Sequence, residues 1–277
     1  MAHPIKAWHG VTIGLDVGDS SSCLCVLDAD GEILEESRIP TTPKAIEARF
    51  VRRERVRVVL ETGTHANWLH DALEAMGHEV VVADARRLRA ISDGDRKDDR
   101  KDAETLARLG RSDTRLLSPV DPRTPDVRKD LEVLRARGKL VVVRTLLVNH
   151  IRGVVKSFGL RMPECSAESL HKRKLPTELS TELATMMEML KSTSAAIEAY
   201  DERIAQLAET KYPQTNMLRQ VRGVGPITAL CFVLTVGDPR RFKDIRDVGP
   251  YLGMTPKKHQ SGSKDPKLRI TKSGDSM

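Results

Sequence analysis

The sequence predicts an α/β fold: a mixed sheet with helices packed on it, then a long helical hairpin, then a small, mostly α C-terminal region. Three observations predict it. Residues 11 to 40 hold three short apolar runs separated by turn residues. From residue 41, helix-length and strand-length patterns alternate. Beyond the proline-rich connector LLSPVDPRTPDV, apolar residues recur every seven positions over long stretches. The first two features indicate a sheet with helical cover, and the third indicates paired helices.

Each element has a local reason. VTIGLDVG, SSCLCVLDADGEI and LEESRIP read as strands, with Asp28, Asp30 and Gly31 supplying hairpin-turn chemistry. TPKAIEARFVRRE reads as a helix opened by Pro43. VRVVLETG is a β-branched run of strand length. HANWLHDALEAMG is amphipathic, with Trp68, Leu69, Leu73 and Met76 on one side and Gly77 as its stop. HEVVVADA is a further strand. One long helix is predicted from Asp126 to about Phe158, with Val133, Leu140, Leu147 and Val154 in one heptad series and Leu134, Val141, Val148 and Val155 in a second. A partner helix is predicted from about Glu178 to Glu209, on Leu183, Leu190, Ile197 and Ile204, flanked by Leu179, Met186, Tyr200 and Leu207. The pair reads as an antiparallel coiled-coil hairpin or as two core helices of a bundle. LRQVRGVGPITALCFVLTVG then places Gly223 and Gly225 between two helical segments, with Ala229 at a close approach. This resembles a helix-hairpin-helix, whose glycines free backbone N–H groups to hold a phosphate. The expected domains are 1–120, 121–212 and 213–277.

Composition narrows the function classes. With 39% hydrophobic and 31% charged residues the chain is globular, not disordered. A net charge of +7 and a pI of about 9.3 lean toward polyanions such as nucleic acid. Aromatics at 3% argue against recognition dominated by base stacking. Cys23, Cys25, Cys165 and Cys231 form no CxxC pair and no zinc spacing, so they read as buried thiols in a reducing cytoplasm. No apolar run is long enough to span a bilayer, and the start, MAHPIKAWHG, lacks the apolar core of a signal peptide.

The carboxylates carry the chemistry. Asp16 sits inside an apolar strand, where burial is costly unless the carboxylate is paired or binds a cation, and Gly14 and Gly18 leave room beside it. Glu61 stands at the C-terminal end of VRVVLETG. In KDDRKDAETLARL, residues 97–109, a helical wheel puts Ala103, Leu106 and Leu109 on the apolar face. Asp99 and Asp102 continue that face and Asp98 lies at its margin, while Arg100, Lys101, Glu104 and Arg108 point away. Asp99 and Asp102 are i, i+3 neighbours. Aspartates at a helix start also serve as caps or dipole partners. Four carboxylates on two strands and one helix suit Mg2+, which takes oxygen ligands and leaves room for water and phosphate. Two such ions can stabilise the attacking and leaving oxygens of a phosphoryl transfer.

GLDVG, LETG, DxxDAxxLA, the heptads, GVGPITA, YLGMTP, SG and ITKSG, in this order, resemble the DEDD-type bacterial transposases of the insertion sequence 110 family, also known as RNA-guided bridge recombinases. The resemblance covers nearly the whole chain. It implies an RNase H-like (RuvC-like) N-terminal domain, a coiled coil and a C-terminal transposase domain. It implies that Asp16, Glu61, Asp99 and Asp102 hold magnesium and that Ser261 of KKHQSGSK is a nucleophile forming a covalent link to DNA. The implied partners are donor and target double-stranded DNA, a structured guide RNA, and further copies of the chain in a dimer or tetramer, in the bacterial cytoplasm. Lys257, Lys258, Lys264, Lys267 and Arg269, with Gly223 and Gly225, are the expected nucleic-acid contacts. Lys257, Lys258, His259 and Lys264 could neutralise a phosphate, and Gly262 permits close approach. By residue chemistry alone Ser263 is nearly as good a nucleophile as Ser261. After ITKSG the family continues with a further helix, so a truncated C-terminal domain is expected here. The rival functions are a metal-dependent junction resolvase or nuclease with no covalent intermediate, and a decayed copy that only binds nucleic acid.

Overall fold

The computed structural model describes residues 8, 10–85, 98–257 and 266–271. The chain divides into two compact units, residues 2–122 and 123–277.

The first unit is built on one five-stranded mixed sheet. Its strands are β1 (Thr12–Val17), β2 (Ser21–Leu27), β3 (Ile33–Pro40), β4 (Arg57–Glu61) and β5 (Glu79–Ala83), in the order β3-β2-β1-β4-β5. β2 runs antiparallel to β1 and β3, while β1, β4 and β5 are parallel. The β2–β3 turn forms as its sequence predicts: Asp28 Oδ1 accepts the backbone N–H groups of Asp30, Gly31 and Glu32, and Gly31 takes a left-handed φ of 90°. Helix α1 (Pro43–Phe50) starts on Pro43 with Thr42 as its cap, and α2 (Ala66–Ala75) is stopped at Gly77, φ 89°.

The two sheet faces have different cores. Ile13, Leu15, Leu24, Val58 and Leu60 face α1 and α2 and pack on Ile46, Phe50, Leu69 and Leu73. Each such buried side chain contributes about 1.5–3 kcal/mol. The opposite face meets helix α3 (Asp99–Ser112), where Cys23, Cys25 and Leu27 pack on Ala103 and Ala107, and Val59 packs near Leu106. Burial pushes the Cys25 thiol up to about 11, so it is an inert packing group. Gly14 has a role other than the expected one of leaving room beside Asp16. A β-carbon on Gly14 would stand 1.9 Å from the backbone oxygen of Ala103, so the glycine lets α3 lie flush on β1. Gly18 is likewise filled, by the backbone of Ser21. Arg57 ties the far end of this face together, donating to Glu79 of β5 and to the carbonyl of Gly110 in α3.

The second unit is helical. Helix α4 (Pro125–Ser157) and helix α5 (Ala184–Thr210) lie antiparallel: Arg137 pairs with Asp201, Asp130 near the start of α4 meets Lys211 and Tyr212 beyond the end of α5, and Leu147 to Val155 pack with Leu183 and Leu190. Leu183, Leu190, Ile197 and Ile204 are all buried, as the heptad spacing predicts. The partner helix starts later than predicted. Residues 177–179 form a 3-10 turn after Pro176, and the α-helix begins at Ala184. One apolar seam residue is replaced by a charge: Arg144 is 9% exposed, with its Nε unpaired. Two turns in opposite directions from the Arg137–Asp201 pair put Arg144 level with Ser194, which is also buried with its hydroxyl unpaired. Short helix α6 (Thr215–Leu218) and helix α7 (Pro226–Val236) follow, and Leu230 and Leu234 of α7 share one core with Leu131, Leu134 and Ile204. Short helix α8 (Val248–Tyr251) comes last. Among the described residues, no helix is long and apolar enough to cross a membrane.

Two stability predictions follow from this packing. Gly14→Ala forces α3 off the sheet, because the obstructing atom is backbone, and should lower stability by on the order of 3 kcal/mol in urea unfolding. In the second unit, burial raises the Asp130 carboxyl, but the bonds from Lys211 and Tyr212 (2.6 Å) outweigh burial and hold it below the ordinary carboxylate value. Its contribution is therefore present above the unfolded value of about 3.9 and is lost as pH falls through the lower folded value. Asp130→Asn should lower stability by about 1–2 kcal/mol at pH 7, with the gap to the parent closing below about pH 4 in pH-resolved thermal unfolding.

Candidate acidic site

The sheet register brings two of the predicted carboxylates together. Asp16 of β1 stands opposite Cys23 of β2, which stands opposite Arg38 of β3. Leu15 is level with Leu60 in the parallel β1–β4 pair, so one further step puts Asp16 level with Glu61. Residues in register share a face. Arg38, Cys23, Asp16 and Glu61 therefore form a row on the α3 side. Asp16 and Glu61 are each half-buried and line one cavity of about 210 Å3. The cavity opens at the carboxyl ends of the parallel strands β1 and β4, the usual place for ligands in open α/β sheets.

Helix α3 carries the other pair of aspartates over the same face of the sheet. Asp98 is the N-cap, and its side chain accepts from the backbone N–H of Arg100. Asp99 and Asp102 lie in the first turn, which the helix dipole favours for carboxylates. Asp102 is half-buried, one residue before fully buried Ala103. Asp99, which the helical wheel turns toward the sheet, reaches it only at its edge strand. It is exposed, and its Oδ2 accepts from Arg38 Nη2 at 2.9 Å. The wheel has no knowledge of β3, which puts a cation within reach. Glu104, which the wheel points away, is half-buried and paired with Arg108 at 2.7 Å.

The donor set is oxygen-rich, which suits a hard divalent cation. The fit is partial. Asp16 and Glu61 share a cavity that Asp99 and Asp102 do not line. Among the described residues no three histidines, cysteines or carboxylates are grouped closely enough to hold a metal ion.

The remaining expected contacts lie in the second unit. Gly223 adopts a left-handed φ of 89°, open to L-residues only with strain, and Gly225 caps α7, whose first residue is Pro226. Gly223 is exposed and Gly225 half-buried. Lys257, Lys267 and Arg269 are exposed. Lys257 and Arg269 face each other across a short antiparallel pairing of residues 255–257 with 269–271. Ser261, the expected nucleophile, lies outside the described residues, as do Lys258, His259, Gly262, Ser263 and Lys264.

The cavity also contains residues that the sequence reading does not single out: Asp19, Thr62 and His65. Their signal was positional. All three follow within four residues of a strand-end carboxylate.

Comparison with known proteins places the chain. Residues 13–159 match a family model described as a transposase, of the DEDD insertion sequence 110 type. Residues 215–277 match a second model, the transposase IS116/IS110/IS902 family. The chain is 27% identical to the transposase for insertion sequence element IS1111A of Coxiella burnetii, over 96% of this chain and 74% of that protein. It is 27% identical to a probable family 20 transposase of Pseudomonas aeruginosa, over 79% of this chain and 66% of that one. A putative transposase of Sinorhizobium fredii, y4pF/y4sB, is 31% identical over 78% of this chain, which spans 56% of that relative's length. With more than half of its residues inside the first family model, this chain belongs to the IS110/IS116 family of DEDD transposases.

Proposed function

We propose that this chain acts in DNA transposition as a recombinase, cutting and exchanging DNA strands. The observation that carries the reading is the row on the sheet: Asp16 and Glu61 level on neighbouring parallel strands, beneath the helix that bears Asp99 and Asp102. The mixed five-stranded sheet with helices on both faces supports an RNase H-like (RuvC-like) reading of residues 1–120. The antiparallel helices support a coiled coil within 121–212, leaving 213–277 as the transposase domain.

In this proposal Asp16, Glu61, Asp99 and Asp102 together hold Mg2+, which when bound neutralises charge on the scissile phosphate. The chain's own residues do the rest. Asp16 and Glu61 offer oxygens from a rigid sheet, and Asp102 is held by a helix locked to that sheet at Gly14. The Arg38–Asp99 pair is exposed, and such pairs are weak, so Asp99 can exchange Arg38 for a cation. Ser261 attacks the phosphate and forms a phosphodiester with the DNA, releasing the leaving strand's hydroxyl. A hydroxyl needs activation for this step, and the neighbouring Lys257, Lys258 and Lys264 offer positive charge to the phosphate. The excess of 46 basic over 39 acidic residues supports a polyanionic partner. We assign DNA and a structured guide RNA to that charge, and a homo-oligomer to the assembly that joins acidic and serine sites.

Two experiments test the reading. Asp102→Ala should abolish strand exchange on DNA carrying the element's ends, with DNA and RNA binding within about threefold of the parent, since a metal ligand adds little to backbone affinity. Full recombination by that variant would remove Asp102 from the site. Ser261→Ala should eliminate any covalent protein–DNA adduct on denaturing gels. An adduct that persists would identify another nucleophile, Ser263 first. Strand cleavage by the parent chain with no adduct at all would instead favour a hydrolytic nuclease.

A further inference from the structure

We propose that His65 is a substrate-contacting residue of the acidic site, donating a hydrogen bond from Nε2 to a phosphodiester oxygen of the nucleic acid, and that Trp68 is the positioning residue that makes it a donor. The inference rests on the acidic-site reading above and extends it to a residue outside the tetrad.

The geometry is specific. His65 is the residue just before α2 and lines the cavity that holds Asp16 and Glu61. Trp68 follows one turn later and donates its indole N–H to His65 Nδ1 at 2.9 Å, with the two rings nearly perpendicular at 88°. An indole nitrogen can only donate. Nδ1 must therefore accept, and in the neutral ring the proton resides on Nε2. The indole is itself anchored, since Trp68 packs against the core of Leu69 and Leu73. The tautomer is thus fixed from the core outward, and the ring's one donor is turned away from the protein interior.

The current partner of that donor is weak. Nε2 lies 3.4 Å from Asp19 Oδ1, at the long limit of a hydrogen bond, and the Asp19 side chain is fully exposed to water. The His65 side chain is 27% exposed, so a ligand can reach it. A cavity lined by carboxylates repels a phosphate, and His65 gives it a neutral donor beside them. His78 shows the contrasting case. It is buried, and both ring nitrogens are used on backbone, Nδ1 accepting from Val56 and Nε2 donating to Phe50. His78 is a packing residue, whereas His65 spends one nitrogen on Trp68 and presents the other at the cavity.

The experiment uses the full chain, magnesium, the structured RNA encoded by the element, and a duplex oligonucleotide carrying one end of the element. In 15N spectra of histidine-labelled protein, His65 should show a protonated Nε2 and an unprotonated Nδ1, and the Nε2–H signal should move when the duplex is added. Trp68→Phe should mix the two tautomers. In single-turnover strand cleavage, His65→Ala should slow the reaction about 10- to 100-fold, the loss expected for one hydrogen bond to a charged oxygen. His65→Gln carries an amide N–H near the Nε2 position and should stay within about threefold of the parent. His65→Asn, whose amide reaches only the Nδ1 position, should behave like alanine. The proposal is overturned if the Nε2 signal ignores the duplex, or if His65→Ala cleaves at the parental rate while Asp16→Asn is inactive. An unchanged tautomer in Trp68→Phe would remove the positioning role. Parental cleavage by Asp16→Asn would overturn the acidic-site reading itself, which keeps the two failures distinct.

Discussion

The first unit depends on the absence of one atom. With no β-carbon on Gly14, the backbone of α3 lies directly against the central strand, with the oxygen of Ala103 where a side chain would otherwise begin. The small residues of α3 extend this seam. Ala103 and Ala107 meet Cys23 and Cys25, and Gly110 approaches Val59 so closely that a β-carbon there would stand 2.2 Å from a valine methyl. A helix held this tightly has little freedom to slide, because interiors pack at crystal-like density. Its first turn is thereby fixed over the row of Asp16 and Glu61. The contact lies two residues from Asp16 on β1 and one from Asp102 on α3, so it fixes the helix to the strand next to those carboxylates.

Much of this architecture was legible from residue order because strand and turn signals were local. The three opening strands, the Asp28 turn, Pro43 and Gly77 act within a few residues of themselves, and each forms where the pattern places it. The heptad positions of the second unit were equally legible, since burial at Leu183, Leu190, Ile197 and Ile204 follows from spacing alone. The start of α5 was not. Leu179 and Leu183 keep the apolar spacing, yet they are buried from a 3-10 turn and a cap position and not from the α-helix. Periodicity reports which side chains face a core, and it does not report the backbone that carries them.

The candidate site was legible in part, for the same kind of reason. Asp16 and Glu61 stood out as carboxylates in apolar strands, and the register puts them side by side. The wheel turns Asp99 toward the sheet, and it meets Arg38 there, yet it stays exposed because Arg38 belongs to the edge strand β3, 61 residues away in sequence. Gly14 and Gly18 read as free space when they are filled by backbone. Trp68 was legible only as an apolar position and His65 not at all, because what joins them is a hydrogen bond between side chains one helical turn apart.

The level pair of Arg144 and Ser194 gives the helical arm a property that apolar seams lack. Leucine-type layers are nearly interchangeable, so two such helices can slide by a turn or a heptad at modest cost. A buried guanidinium has no such tolerance. Shifted by one turn it would meet an apolar layer instead of a serine and lose its reach to Glu168, 3.5 Å away in the present alignment. The polar layer thus works as a vernier mark, giving the long hairpin one alignment and its far end one length. The helix that ends at Thr210 is followed by α6 and the Gly223 turn, so the same alignment bears on the segment that leads into α7.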